Sequence, residues 1–143
     1  MKITEKVLKG GTKLILVDLP DSTSITAAVF VKVGSRVESL TEAGISHLVE
    51  HCIFKGSRKY PTPQIISFSL EGLGASIDAG TSKEYTFYMT KSVKENFLSV
   101  LDILLDIYTN PLMEDDSLKR EKNVVLEEIR MYRDDSTNEG SKL

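Results

Sequence analysis

A single cysteine, Cys52, cannot close an internal disulfide, which fits a reducing compartment. Dense runs of Lys or Arg are missing, and 18 basic against 21 acidic residues give a formal net charge of −3. That balance offers no footing for nucleic acid or for an acidic membrane surface, so a peptide or small molecule is the expected partner. No stretch approaches the roughly 18 uninterrupted apolar residues of a membrane span, and MKITEKVLKGG lacks an apolar signal core. A soluble, cytoplasmic protein is expected. The last three residues, Ser141-Lys142-Leu143, match a peroxisomal address, but three residues are weak grounds for one. Repeats, linkers and low-complexity tracts are also missing, although the polar stretch 134–142 reads as a frayed end.

What is present suits one compact domain: 143 residues, 41% of them hydrophobic, can bury a core. Ile3 to Lys9 and Thr12 to Leu19 flank Gly10-Gly11, a hairpin pattern. Apolar residues at Ile25, Ala27, Val29, Val31 and Val33 have the period of a strand with one face on the core. Ser39 and Glu42 form a capping box ahead of Ile45, Leu48, Val49, Cys52 and Ile53 at helical spacing, which predicts a first helix. Thr62-Pro63 opens a second helix that runs to Gly72 and Gly74. Ala75 to Ala79 and Glu84 to Thr90 read as strands. Ser92 and Glu95 form another capping box before a third helix carrying Phe97, Val100, Leu101, Leu104 and Tyr108, which Pro111 stops. A last helix runs from about Asp115 past Arg133. This order predicts an α+β fold, an antiparallel or mixed sheet packed against helices.

The chain has two histidines, four residues apart, in His47-Leu48-Val49-Glu50-His51. This is the inverted order of the zincin motif. Positions i and i+4 on a helix are roughly 5 to 6 Å apart at Cβ, so both imidazoles can reach one zinc. On a helical wheel His47, Glu50, His51 and Phe54 lie opposite the apolar face. A solvated polar face is the plainer explanation, and Glu50 between the histidines favours the metal site over it.

Zinc catalysis needs a third protein ligand and an open fourth position. On the last helix Leu118, Val124, Val125, Ile129, Met131 and Tyr132 make an apolar arc that contains Glu121 and Glu128, whereas Glu127 lies outside it. A carboxylate facing a core needs a neutralising partner. A zinc ion would serve, and so would a basic side chain.

With these residues in hand, the chain resembles the pitrilysin/insulinase family of inverzincin metallopeptidases, which includes the mitochondrial processing peptidases. The resemblance rests on Gly34-Ser35-Arg36-Val37-Glu38 and on Gly44 to Gly56, and it extends over nearly the whole chain. It implies zinc held by His47, His51 and Glu128, the last 77 residues beyond His51, with Glu50 as the catalytic base. By the same resemblance Glu121, two turns before Glu128, supports the site, and Ala75, Ser76, Ile77, Asp78 and Ala79 form an edge strand beside which substrate lies. Asp78 stands where the family usually has asparagine, and Cys52 where methionine is common. Family members are much longer and add a second half, so residues 1–143 are expected to be an incomplete, zinc-bearing N-terminal peptidase domain that needs a second half or subunit. The expected activity is zinc-dependent cleavage of peptides or unfolded polypeptide. Two rivals are a non-catalytic or half-site subunit, and a zinc lyase acting on S-ribosylhomocysteine. The lyase takes a cysteine as third ligand, and none follows Cys52.

Overall fold

A computed structural model describes residues 1–134, with side chains to Met131. The readings that fall on 135–143, and on the Tyr132 side chain, lie outside the described residues.

The expected hairpin forms. β1 (Lys2–Val7) pairs antiparallel with β2 (Lys13–Asp18), and Gly10 and Gly11 supply the positive φ that the turn requires. β3 (Ser24–Val31), β4 (Ser76–Thr81) and β5 (Thr86–Val93) build a separate antiparallel sheet in the order β3-β5-β4. β4 is therefore an edge strand. It begins at Ser76, so Ala75 precedes it rather than opening it, and it runs on through Gly80 and Thr81.

The described residues also form four helices: α1 (Ile45–Ile53), α2 (Pro63–Gly72), α3 (Phe97–Thr109) and α4 (Asp115–Asp134). The core joins Ile53 of α1, Ile66 and Leu70 of α2, Tyr88 of β5, and Val100, Ile103, Leu104 and Ile107 of α3. Ala27, Val29 and Val31 of β3 pack on the core as their periodicity predicts, whereas Val33 lies past the end of the strand and is exposed. In β5 the buried face carries Thr86, Tyr88, Thr90 and Ser92, while Phe87 and Met89 turn outward, where Phe87 meets the exposed Phe30. No helix among the described residues is long and apolar enough to cross a membrane.

α2 begins as expected, with the Thr62 hydroxyl accepting the Ile65 N–H at 3.3 Å and Pro63 in the first turn. The other two capping boxes do not open helices. Ser92 belongs to β5, whose pairing with β3 runs to Ser24 opposite Val93, and a 3₁₀ turn (Lys94–Asn96) then leads into α3. Sheet pairing claims that backbone before a cap can use it.

Between α1 and α3 the chain is clamped by Asp106, which is 5% exposed. Its carboxylate accepts from Ser57 Oγ at 2.7 Å, from the Lys59 N–H at 3.0 Å and from Asn110 Nδ2 at 3.1 Å. Burial alone would raise this carboxyl, but those hydrogen bonds and the Lys59 charge outweigh it and hold it below its ordinary value. Such a group stabilises the fold fully above its unfolded value of about 3.9 and loses that contribution as pH falls through the lower folded value. Asp106→Asn should therefore lower the thermal midpoint at pH 7, and its deficit against the parent protein should shrink below about pH 4. An equal deficit at pH 3 and pH 7, read by circular dichroism melts, would remove the charge from this account.

Candidate metal centre

α1 is placed by the loop that precedes it. Gly34 lies so close to Ser82 that a Cβ would meet the Ser82 carbonyl oxygen at 2.3 Å. The N–H groups of Ser35 and Arg36 bond the carbonyls of Ser82 and Lys83, and Arg36 pairs with Glu84. This docking aims Glu38 at the start of α1, where its carboxylate accepts from the N–H groups of Gly44 at 2.7 Å and Ser46 at 2.8 Å. An anion there also suits the positive end of the helix. The expected Ser39–Glu42 box closes only on itself, Ser39 Oγ donating to Glu42 at 2.7 Å. The helix begins at Ile45, behind Gly44 at φ 91°. Residues 40–44, which a cap at Ser39 would make helical, are loop because Glu38, from outside the helix, supplies the cap.

The polar face of α1 packs against α4 and β4. The apolar stripe read from the sequence is only partly a core face: Cys52 and Ile53 are buried, but Ile45 and Val49 are 48% and 40% exposed. The arc on α4 is likewise narrower than expected, with Leu118, Glu121, Val125, Glu128 and Ile129 turned inward and Val124 and Met131 exposed.

This packing brings His47, His51 and Glu128 together, with one ligand atom from each within 4.8 Å of the others. The two Nε2 atoms are 3.1 Å apart, and Glu128 Oε2 lies 3.4 Å from that of His47 and 3.7 Å from that of His51. Donors at about 2.0 to 2.2 Å from a tetrahedral zinc sit roughly 3.4 Å apart, so the three residues fit such an ion. Glu121 lies beneath them, 8% exposed, and its Oε2 accepts from Nδ1 of His51 at 3.2 Å. In the Nδ1–H tautomer that this contact favours, Nε2 of His51 turns its lone pair toward His47 and Glu128. Burial pushes the Glu121 carboxyl up, but hydrogen bonds from Lys55 and His51 overcome this and hold it below its ordinary value. Glu121 stays an anion under the histidines.

Glu50 points from the same face toward β4, where the Thr81 hydroxyl donates to its Oε2 at 2.5 Å. Burial, with a smaller push from the nearby Glu50 charge, drives the Tyr88 phenol to about 12, so it stays neutral. Burial likewise raises the Cys52 thiol, which is 1% exposed and unsuited to chemistry. A cleft of about 660 Å³ opens beside His47 and Glu50, bordered by Ala43, Gly80, Ser82 and Ile129. The residues 75–79 proposed to bind substrate run up to this cleft rather than lining it, and the strand reaches it at Gly80 and Thr81. Asp78 is exposed, and its Oδ1 accepts from the Ala79 N–H at 2.9 Å.

A model of the insulinase family, peptidase family M16, matches residues 13–140. The chain belongs to that family. A Bacillus subtilis zinc protease, YmxG, is 38% identical over 126 residues, which is 88% of this chain and 31% of that protein. The beta subunit of the yeast mitochondrial-processing peptidase is 34% identical over 121 residues, 85% of this chain and 26% of the subunit. Among solved structures, a Helicobacter pylori protease superposes with a TM-score of 0.84 at 28% identity, over 91% of this chain and 31% of its own. Pitrilysin superposes at 0.79, also at 28% identity, over 92% of this chain and 14% of its own. This insulinase-family chain thus spans less than a third of those relatives. The α+β architecture expected from the sequence is the one it shares with them.

Three residues around this candidate centre were not singled out from sequence: Glu38, Lys55 and Thr81. Only Glu38 left a signal, an acid shortly ahead of a helix that lacks a side-chain cap of its own. Thr81 and Lys55 reach Glu50 and Glu121 across 31 and 66 residues, distances that no local pattern records. The role of Glu38 is measurable: Glu38→Ala should cost about 1 kcal/mol of stability, as loss of a helix cap does. An unchanged urea midpoint would show that water serves those N–H groups equally well.

Proposed function

We propose that this chain is the zinc-bearing part of a metallopeptidase, with the metal held by His47, His51 and Glu128. The reading rests on one observation, the convergence of two imidazole nitrogens and a carboxylate oxygen at separations that suit zinc. The zinc protease and peptidase names of relatives 34–38% identical support it. When bound, zinc supplies a Lewis acid that polarises a carbonyl and lowers the pKa of water. Glu50, on the same helix face and next to the cleft, takes the proton of the attacking water and returns it to the leaving amine. Thr81 holds one oxygen of Glu50 toward β4 and leaves the other for that proton. Glu121 orients His51 through Nδ1.

An extended peptide would add as a strand along the edge of β4, near Ala75 to Ala79, and place its scissile bond near Gly80 and Thr81. Such pairing uses backbone groups and tolerates many sequences, which suits an unfolded polypeptide. Because the chain spans less than a third of the relatives above, and one of them is named a beta subunit, we propose that a second half or subunit completes the substrate chamber. The lyase reading loses ground because glutamate, not cysteine, meets the two histidines.

The purified chain should bind about one zinc, and His51→Ala should abolish binding. Equal zinc in well-folded protein with and without His51 would sink the reading. Glu50→Gln should keep the metal yet lose hydrolysis in the completed enzyme, whereas Glu128→Gln should weaken the metal. The reverse pattern in metal analysis would exchange the two roles. Alone, the chain should show little peptidase activity even with zinc bound, since holding substrate and stabilising the developing oxyanion contribute several kcal/mol. Robust, chelator-sensitive cleavage of an unstructured peptide, abolished by Glu50→Gln, would show it to be self-sufficient.

A further inference from the structure

Lys55 follows α1 directly, one residue past its last capping position, Phe54. Its N–H bonds the Cys52 carbonyl at 3.1 Å, so its side chain leaves from fixed backbone. Its Nζ lies 2.9 Å from Oε1 of Glu121, while Oε2 of the same carboxylate takes Nδ1 of His51 at 3.2 Å. Lys55 and His51 are four residues apart, about one turn of helix. Glu121 therefore ties the last turn of α1 to the residue just past its cap, with a different partner on each oxygen. A carboxylate bonded on one oxygen can still swing about that bond, but one bonded on both is fixed in plane and azimuth.

We propose that Lys55 is a positioning residue for the metal centre: it anchors Glu121 so that the second carboxylate oxygen fixes His51 with Nε2 toward His47 and Glu128. This rests on the zinc reading above. Neutralising a buried acid would be the whole role of Lys55 if any cation nearby could serve. The geometry argues for more, because the Lys55 bond determines which oxygen faces His51. The side chain of Lys55 is one-third exposed and that of Glu121 only 11%, so the anchor comes from solvent and the carboxylate from the interior.

The test uses the 143-residue chain with Lys55→Met and Lys55→Arg. Zinc affinity is measured by competition with a chromophoric chelator, and the His51 tautomer is read from imidazole ¹⁵N spectra of the zinc-free protein. Lys55→Met should weaken zinc by up to about tenfold, the lower end of what loss of a ligand's own hydrogen-bond partner costs, because Lys55 acts through that partner. It should also abolish the single Nδ1–H form of His51, and Lys55→Arg should restore both. Parent-like affinity and a parent-like His51 spectrum in Lys55→Met overturn the proposal, whatever happens to its melting temperature. If Lys55→Met fails to fold by circular dichroism, Lys55→Ala, which likewise removes the donor, is read by the same criteria. Failure of the parent chain to bind zinc would sink the zinc reading instead, and the zinc-free His51 spectrum would still decide for or against the Lys55 anchor.

Discussion

The site depends on one buried carboxylate. Glu121 faces α1 from α4, where an acid is costly unless it is paired, and the fold meets that cost with one partner on each oxygen, His51 from α1 and Lys55 from just beyond its end. That requirement fixes the register of the two helices. Sliding α4 by one residue would turn Glu121 by about 100° away from His51 and carry Glu128 with it, because the two are seven residues, nearly two turns, apart. The pairing that satisfies Glu121 therefore also delivers Glu128 to the histidines. An inter-helix contact that looks structural aligns the donor set.

The rest of the molecule holds α1 still. Its N-terminus is capped by Glu38, itself placed by the docking of the Gly34 loop against residues 82–84. Its C-terminal end puts Ile53 into the core with α2, β5 and α3, and the segment beyond it is clamped by Asp106. β4 sits at the sheet edge with its end against Glu50 through Thr81. The donor set, the proposed base and the edge strand are thus fixed by separate contacts, which suits a reaction sensitive to small displacements.

The antiparallel sheet puts its polar alternation to unusual use. Thr86, Tyr88, Thr90 and Ser92 face the helices, and Phe30, Phe87 and Met89 face outward. Hydrophobicity alone would have chosen the opposite face. Here Thr86 earns its buried place by donating to the Val33 carbonyl at 2.9 Å, which ties the end of β3 across to β5 beside the Gly34 loop.

Taken by itself, the sequence determined what local spacing can carry. Histidines four apart, a glutamate between them, Thr62-Pro63 at a helix start and the alternation in β3 each act within one or two turns, so each was legible, and the motif at 34–56 made the family legible too. Local spacing misled where a distant group intervened. Glu38 displaced the Ser39–Glu42 cap, β3 claimed Ser92 for a strand, and packing against α4 and β4 half-buried the polar face of α1 while leaving Ile45 and Val49 exposed. Sequence narrowed the third donor to Glu121 or Glu128, and family resemblance alone favoured Glu128. Only the tertiary structure separated their geometry, because both lie on the inward face of α4 and what differs is which atoms each meets: Nδ1 of His51 and the Lys55 ammonium for Glu121, the two histidine Nε2 atoms for Glu128.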